Sequence, residues 1–323
     1  MPLDRDEFLI GLYRLFAATA RADFCDAALE HLKGHVPFDS AIWGTFARGA
    51  AGPILHQGRL HRVDPQMLEE YEPIKHHDTL NRDVVAKPGR TVNISLTRTG
   101  KRVHPAMLAH ARRWGMEHTL ATTVHESALE LFTLLSLYRE NRDQPFSESQ
   151  RRFVQAAMPH LVAAWHMNAL HFLDSTAAPA GAHLRARALI DGHGVVHNAE
   201  AELPALLRSE FPCWRGPSVP SEVLALTTGG AATWTGKAIV ASLMRALDDR
   251  TFLICVRPRA AVDALAPREL EVGREFSAGK SHKAIAALLG TSPATVRSQL
   301  RMVYTKLGVA TKIELLKQLE SAD

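Results

Sequence analysis

The sequence predicts a multidomain fold class, an α+β region followed by an all-α segment of four helices, and three observations carry that expectation. The chain has 323 residues, more than one ordinary core accommodates and enough for two or three domains of roughly 100 to 150 residues. Apolar residues make up 46% and charged residues 22%, with 20 Gly and 17 Pro, a globular composition that excludes a disordered, collagen-like or fibrous chain. Hydrophobic periodicity mixes strand and helix periods through about the first four fifths of the chain and becomes purely helical from Leu265 onward.

Taken in order, Phe8, Leu9, Leu12, Tyr13 and Phe16 recur at helical spacing, and Asp23 to Lys33 reads as a second helix stopped by Gly34 and Pro37. Ile42 to Phe46 reads as a strand. Asp64-Pro65 is a cap followed by proline at the first helical position, Leu129 to Tyr138 a buried strand, and Ser147 to about Leu173 a long helix. These elements make residues 1–174 one α+β domain. The run from Asp174 to Gly181 is composed of small residues with Pro and Gly, which places a linker at 175–184. Two β-rich runs around Asp191-Gly192 then predict a hairpin, Ala199 to Ser209 a helix, and Lys237 to Leu247 with Thr251 to Val256 a second hairpin across Asp248 to Arg250. Residues 185–258 therefore form a second, smaller α+β domain, and residues 263–323 a third.

Composition and motifs exclude several classes. The apolar run Ala128 to Tyr138 is interrupted by polar residues and is far shorter than the roughly 20 residues of a bilayer span. The opening Met1-Pro-Leu-Asp-Arg-Asp-Glu places acids where a secretory leader carries cations, so a cytoplasmic location is expected. Cys25, Cys213 and Cys255 form no CxxC pair, which argues for reduced thiols and against a disulfide framework or a thiolate zinc site. His31 and His35, and the adjacent His76 and His77, lack a third ligand at recognisable spacing, and HExxH, GxSxG and GxGxxG are absent. The run Gly229 to Ala238 has neither the spacing nor the hydroxyl of a phosphate loop. No cofactor, metal or catalytic residue is expected.

Net charge is only +4, from 38 basic and 34 acidic residues, too small for general polyanion binding. Its distribution matters more. Between Pro293 and Lys312 stand Arg297, Arg301, Lys306 and Lys312 with no acid. From Leu265 onward, Pro267 to Ala278 forms one helix ended by Gly279, Ser281 caps a second that stops at Gly290, and Ser292 with Pro293 opens a third. Two helices joined by so short a turn make a helix-turn-helix. Val296, Leu300, Val303 and Leu307 form the buried stripe of the third helix, with Arg297 and Arg301 one turn apart on a different face. Arginine forks on a helix suit guanine edges in a major groove, although a helical bundle with a solvated basic face has the same periodicity.

Leu265-Ala-Pro-Arg-Glu-Leu-Glu-Val272, Gly279-Lys-Ser-His-Lys-Ala-Ile-Ala286, Thr295-Val-Arg297 and Lys306-Leu-Gly-Val309 resemble, in register, the LuxR/FixJ-type DNA-binding domain. The resemblance implies that Arg297 and Arg301, with Ser298 beside them, reach base edges, that Thr295 and Lys306 contact phosphate, and that the helix from Thr311 to Leu319 pairs two copies on DNA. Ala266, Gly273, Ala284 and Gln299 depart from the family pattern, and Gly273 weakens its helix by about 1 kcal/mol relative to alanine.

No receiver signature precedes this domain, since paired acids able to hold magnesium are missing from the early strands. Pro37 to Ser40, Tyr71 to Gly89, Tyr138 to Ser147 and Pro159-His160 resemble the GAF-like sensory regions attached to LuxR-type regulators, and residues 188–258 resemble a PAS-like module. Tyr71 and Asp78 are similar in type to the Tyr and Asp that hold acyl-homoserine lactone in quorum-sensing relatives, but the accompanying Trp positions and Asp-Pro pair are not reproduced. Trp43, Tyr71, Asp78 and Trp114 are the candidate ligand-binding residues; the aromatic three suit an apolar pocket or equally a core. The resemblance thus implies a transcription regulator with double-stranded DNA, a second copy of itself, a small-molecule effector and RNA polymerase as partners. A metal-binding or hydrolytic sensor without DNA contact is the alternative.

Overall fold

The computed structural model describes residues 4–49, 52–96, 103–174, 185–246 and 251–320; the expected linker 175–184 and the turn Asp248 to Arg250 lie outside the described residues. By its contacts the chain falls into two compact units. The first is built on an N-terminal sheet and its helices, with residues 193–198 and 215–219 grouped with it, and the second on the remainder.

The first unit opens with α1 (Arg5–Ala18), whose free N-terminal amides are met by the Asp4 carboxylate, with Oδ1 accepting from the amides of Asp6 and Glu7 at 2.9 and 3.0 Å. Helix α2 (Phe24–His35) continues through Gly34, which corrects the expected stop there. The glycine keeps helical geometry, the Val36 amide closes the last turn on the Leu32 carbonyl at 2.8 Å, and Pro37, which has no amide to donate, follows the end. Next come β1 (Ser40–Gly49), β2 (Gly52–His61), α3 (Gln66–Tyr71), a 3-10 turn over Glu72–His77, and α4 (Thr79–Ala86). They are followed by β3 (Val92–Ser95), α5 (Pro105–Arg113), β4 (His118–Glu126), β5 (Leu131–Arg139) and α6 (Glu148–Asp174). Helix α3 begins at Gln66 with Pro65 in the cap position, one residue later than expected, and Asp64 Oδ1 accepts from the Gln66 amide at 2.9 Å. Strand β5 begins two residues later than expected because Glu130 takes φ of 52° in the turn that precedes it.

The strands form an antiparallel sheet in the order β2-β1-β5-β4-β3. Period-two alternation sorts its side chains between two environments. Ala41, Trp43, Leu120, Leu135 and Leu137 pack with Phe8, Leu12, Leu29, Leu32, Phe153 and Leu161 of the helices in the main core, where each large side chain contributes roughly 1.5–3 kcal/mol of transfer free energy. Ile42, Phe46, Leu134, Ser136 and Tyr138 lie on the opposite face, toward α3, α4 and α5.

The second sheet joins β6 (Ala186–Asp191), β7 (Val196–Ala199), β8 (Thr233–Thr235), β9 (Ile239–Ala246) and β10 (Thr251–Pro258) in the order β7-β6-β10-β9-β8. Between β7 and β8 run α7 (Leu203–Glu210) and the single turn α8 (Ser221–Leu224). Helix α7 starts four residues later than the sequence suggests, because Ala199 still belongs to β7 and Pro204 fixes the first helical turn. The chain then forms α9 (Pro267–Ser277), α10 (His282–Leu288), α11 (Pro293–Leu307) and α12 (Lys312–Glu320). Their core has two parts, Val262, Val303, Leu307, Leu315 and Leu319 in one and Val272, Ile285, Ala286, Val296 and Leu300 in the other. Among the described residues no helix is long and apolar enough to cross a membrane.

Candidate functional site

Two places concentrate functional chemistry, and the first is α11. The turn before it is tight because Gly290 takes φ of 62°, where a side chain would be strained, and the Thr291 amide bonds the Ala286 carbonyl at 2.9 Å. Ser292 then caps α11, its Oγ accepting from the Thr295 amide at 3.1 Å, while Pro293 occupies a first-turn position whose amide would have no partner. Val296, Leu300, Val303 and Leu307 are buried, which fixes the rotation of the helix, and Gly308 ends it with φ of 66°.

That rotation leaves Thr295, Arg297, Ser298 and Arg301 exposed. Among the described residues neither guanidinium has an ion-pair or hydrogen-bond partner. Four residues of helix separate them by about 6 Å along the axis, close to two base steps of about 3.4 Å. The Thr295 hydroxyl lies 2.9 Å from Ser292 Oγ at the start of the same helix. Lys306 is placed differently: its Nζ is 2.6 Å from Glu269 Oε2. The same oxygen accepts from the Ala266 amide at 2.8 Å, the half of a capping box that does not need a side-chain oxygen at Ala266. Lys306 and this amide hold the Glu269 carboxyl below its ordinary range. The double role of Glu269 is invisible in the sequence except as an acid three residues after the cap position Ala266.

The second place is a cavity of about 180 Å³ in the first unit, floored by β1, β4 and β5 and roofed by α3, α4 and α5. Its walls are mainly apolar, with Tyr71 and Asp78 among the few polar groups. Asp78 caps α4, Oδ1 accepting from the Asn81 amide at 2.9 Å, while Oδ2 accepts from the Tyr71 hydroxyl at 2.8 Å. Burial pushes the Asp78 carboxyl above the usual carboxylate range, and it raises the Tyr71 phenol as well. Thus the structure brings together Tyr71 and Asp78 of the four sequence candidates.

The two tryptophans stand elsewhere. Trp43 points to the opposite face of the sheet, 1% exposed, with its ring against Phe24 and Trp165 at centroid distances of 6.4 and 5.6 Å. Trp114 ends α5 outside the cavity lining, its indole donating to Glu70 Oε2 at 3.1 Å and the Arg113 guanidinium 5.5 Å from its ring. In their stead His110, Ser136 and Tyr138 supply polar atoms to the lining. His31 and His35 stack with Phe8 and Phe153 in the core, and among the described residues no group of three His, Cys, Asp or Glu is placed to hold a metal ion.

Comparison with known proteins singles out the C-terminal helices. Residues 263–318 match GerE, the bacterial regulatory proteins of the luxR family. Over 89 residues the chain is 39% identical to the HTH-type transcriptional regulator Mb0914c of Mycobacterium bovis. It is 38% identical over the same length to the HTH-type transcriptional regulator Rv0890c of Mycobacterium tuberculosis. Each match takes in 28% of this chain and 9% of the relative. Among solved structures, SdiA of Escherichia coli is 12% identical over 98% of both chains, with a TM-score of 0.40. The N-acylhomoserine lactone dependent LuxR family transcription factor CepR2 of Burkholderia cenocepacia is 17% identical, covering 50% of this chain and 93% of its own, with a TM-score of 0.38.

Proposed function

We propose that this chain, whose C-terminal helices form a luxR-family helix-turn-helix domain, is a sequence-specific transcription regulator that reads double-stranded DNA with α11. One observation carries the reading: Arg297 and Arg301 are exposed one turn apart, unpaired among the described residues, on the side of α11 away from its buried stripe. Such forks bond bidentately to guanine O6 and N7. Ser298 adds a hydroxyl between them, and Thr295, with the Ala294 amide of the first turn, suits a phosphate oxygen. Lys306 would reach a phosphate by exchanging its Glu269 partner for the DNA backbone.

The reading includes pairing of two copies, since two such helices read a two-fold site. Ile313 and Leu316 on α12 favour it, being 68% and 38% exposed while Leu315 and Leu319 of the same helix are buried. It also includes an effector, held in the cavity between the first sheet and α3 to α5, and RNA polymerase as the machinery regulated, in the cytoplasm. The test is fluorescence anisotropy with a duplex selected from random DNA by the full chain. Arg297→Ala or Arg301→Ala should each lower affinity for that duplex by about 1–3 kcal/mol. Equal affinity in both variants and the parent would reject α11 as the reading helix.

A further inference from the structure

Among the described residues that line the cavity, one has a buried side-chain polar atom without a hydrogen-bond partner. His110 lies in the last turn of α5, is 7% exposed, borders the cavity, and its Nε2 makes no hydrogen bond to the protein. Its ring centroid is 6.0 Å from that of Tyr71, and the Tyr71 hydroxyl is already given to Asp78. A buried ring nitrogen without a partner disfavours the folded state until something meets it, and beside a cavity a guest or a water can do so. Burial also pushes the imidazole below its ordinary value, which keeps it neutral with one donor and one acceptor nitrogen.

The chemistry of the guest follows from the rest of the lining. Among the described residues no lysine or arginine borders the cavity, so an anion would find no counter-charge among them and would lie near the Asp78 carboxyl. The remaining wall, formed by residues such as Ile42, Met67, Val84, Met107 and Leu134, asks for an apolar body. A group that both donates and accepts can satisfy Nε2 in either tautomer.

We propose that His110 Nε2 anchors the polar end of a small uncharged guest, an apolar molecule ending in a hydroxyl or similar donor-and-acceptor group, and so sets the head-group specificity of the cavity. The proposal rests on the reading of this cavity as the effector site.

Calorimetric titration of the full chain with 1-octanol, octylamine and octanoate at neutral pH tests it, because the three share a tail and differ in head group. 1-Octanol should bind most tightly, and octanoate at least about tenfold more weakly. His110→Phe should weaken 1-octanol about tenfold, the worth of one hydrogen bond, and His110→Gln, whose amide reaches as far as Nε2, should recover most of that loss. Octanoate or octylamine binding as well as the alcohol, or His110→Phe binding the alcohol like the parent, would overturn the role of His110 while leaving the cavity a ligand site. Should the Phe variant not fold, the head-group order in the parent and the His110→Gln titration decide. No heat with any probe would overturn the inference together with the effector reading, whereas DNA binding, measured separately, would stand.

Discussion

A single missing methyl group leaves room on the buried side of α9. Gly273 is buried in the middle of that helix, and a Cβ built on it would lie 3.6 Å from Leu319 Cδ1 and 3.7 Å from Val303 Cγ1, ordinary contact distances. Gly273→Ala should therefore add helix propensity without a clash and stabilise the domain by about 1 kcal/mol, seen as a higher urea midpoint for unfolding of the helical domain; an unchanged or lower midpoint would mean the site is tighter than these distances allow. Glu148 illustrates a different residue-scale effect. Hydrogen bonds from Arg151 and Arg152 hold its carboxyl at about 2, against an ordinary 4.5. Because the folded value is the lower one, the contribution is present above about 4.5 and is lost as pH falls through about 2. The stability difference between parent and Glu148→Gln should be small, since Glu148 and Arg152 are exposed and only Arg151 is partly buried, and should vanish with acid; a pH-independent difference would contradict the assignment.

At the scale of elements, the C-terminal helices were the most legible part of the chain and the strands around the cavity the least. Ser281, Gly290, Ser292, Pro293 and the stripe Val296, Leu300, Val303 and Leu307 each announce their place, because caps, left-handed turns and helical periodicity are local. The cavity is not local. Strand β4 reads His118-Thr-Leu-Ala-Thr-Thr-Val-His125, too polar for a core strand, because Thr119 and Ala121 face the cavity and not the helical core. Helix α5 is short, and His110 becomes meaningful only once the sheet is folded beneath it. The tryptophans misled for the same reason: burial of Trp43 needs only α2, α6 and the sheet, with no ligand. One cap can be tested directly. Ser292→Ala removes the acceptor for the Thr295 amide and should cost about 1 kcal/mol of domain stability, and it should also loosen the turn carrying Thr295 and Arg297, weakening DNA binding at temperatures where the domain stays folded. Unchanged melting would show that the cap is replaced by water at no cost.

For the whole molecule, the two sheets share one strand order, each placing its second strand beside its first and its first beside its fifth. No sequence repeat accompanies that likeness, since order in a sheet is set by pairing geometry and connection rules and not by particular side chains. Charge acts at this scale too. A net +4 leaves the molecule weakly basic, so DNA affinity should depend on phosphate contacts near α11 and fall steeply with added salt as counterions are released; affinity insensitive to salt would exclude a backbone-contacting mode. The account rests on α11 carrying base recognition, and the most direct measurement is the ratio of affinities for the selected duplex and a scrambled duplex of equal length, in the parent and in Arg297→Ala with Arg301→Ala. The expected result is a ratio well above one in the parent that collapses toward one in the double variant, with salt-dependent binding to the scrambled duplex largely retained. A double variant that still prefers the selected duplex as strongly as the parent would contradict it.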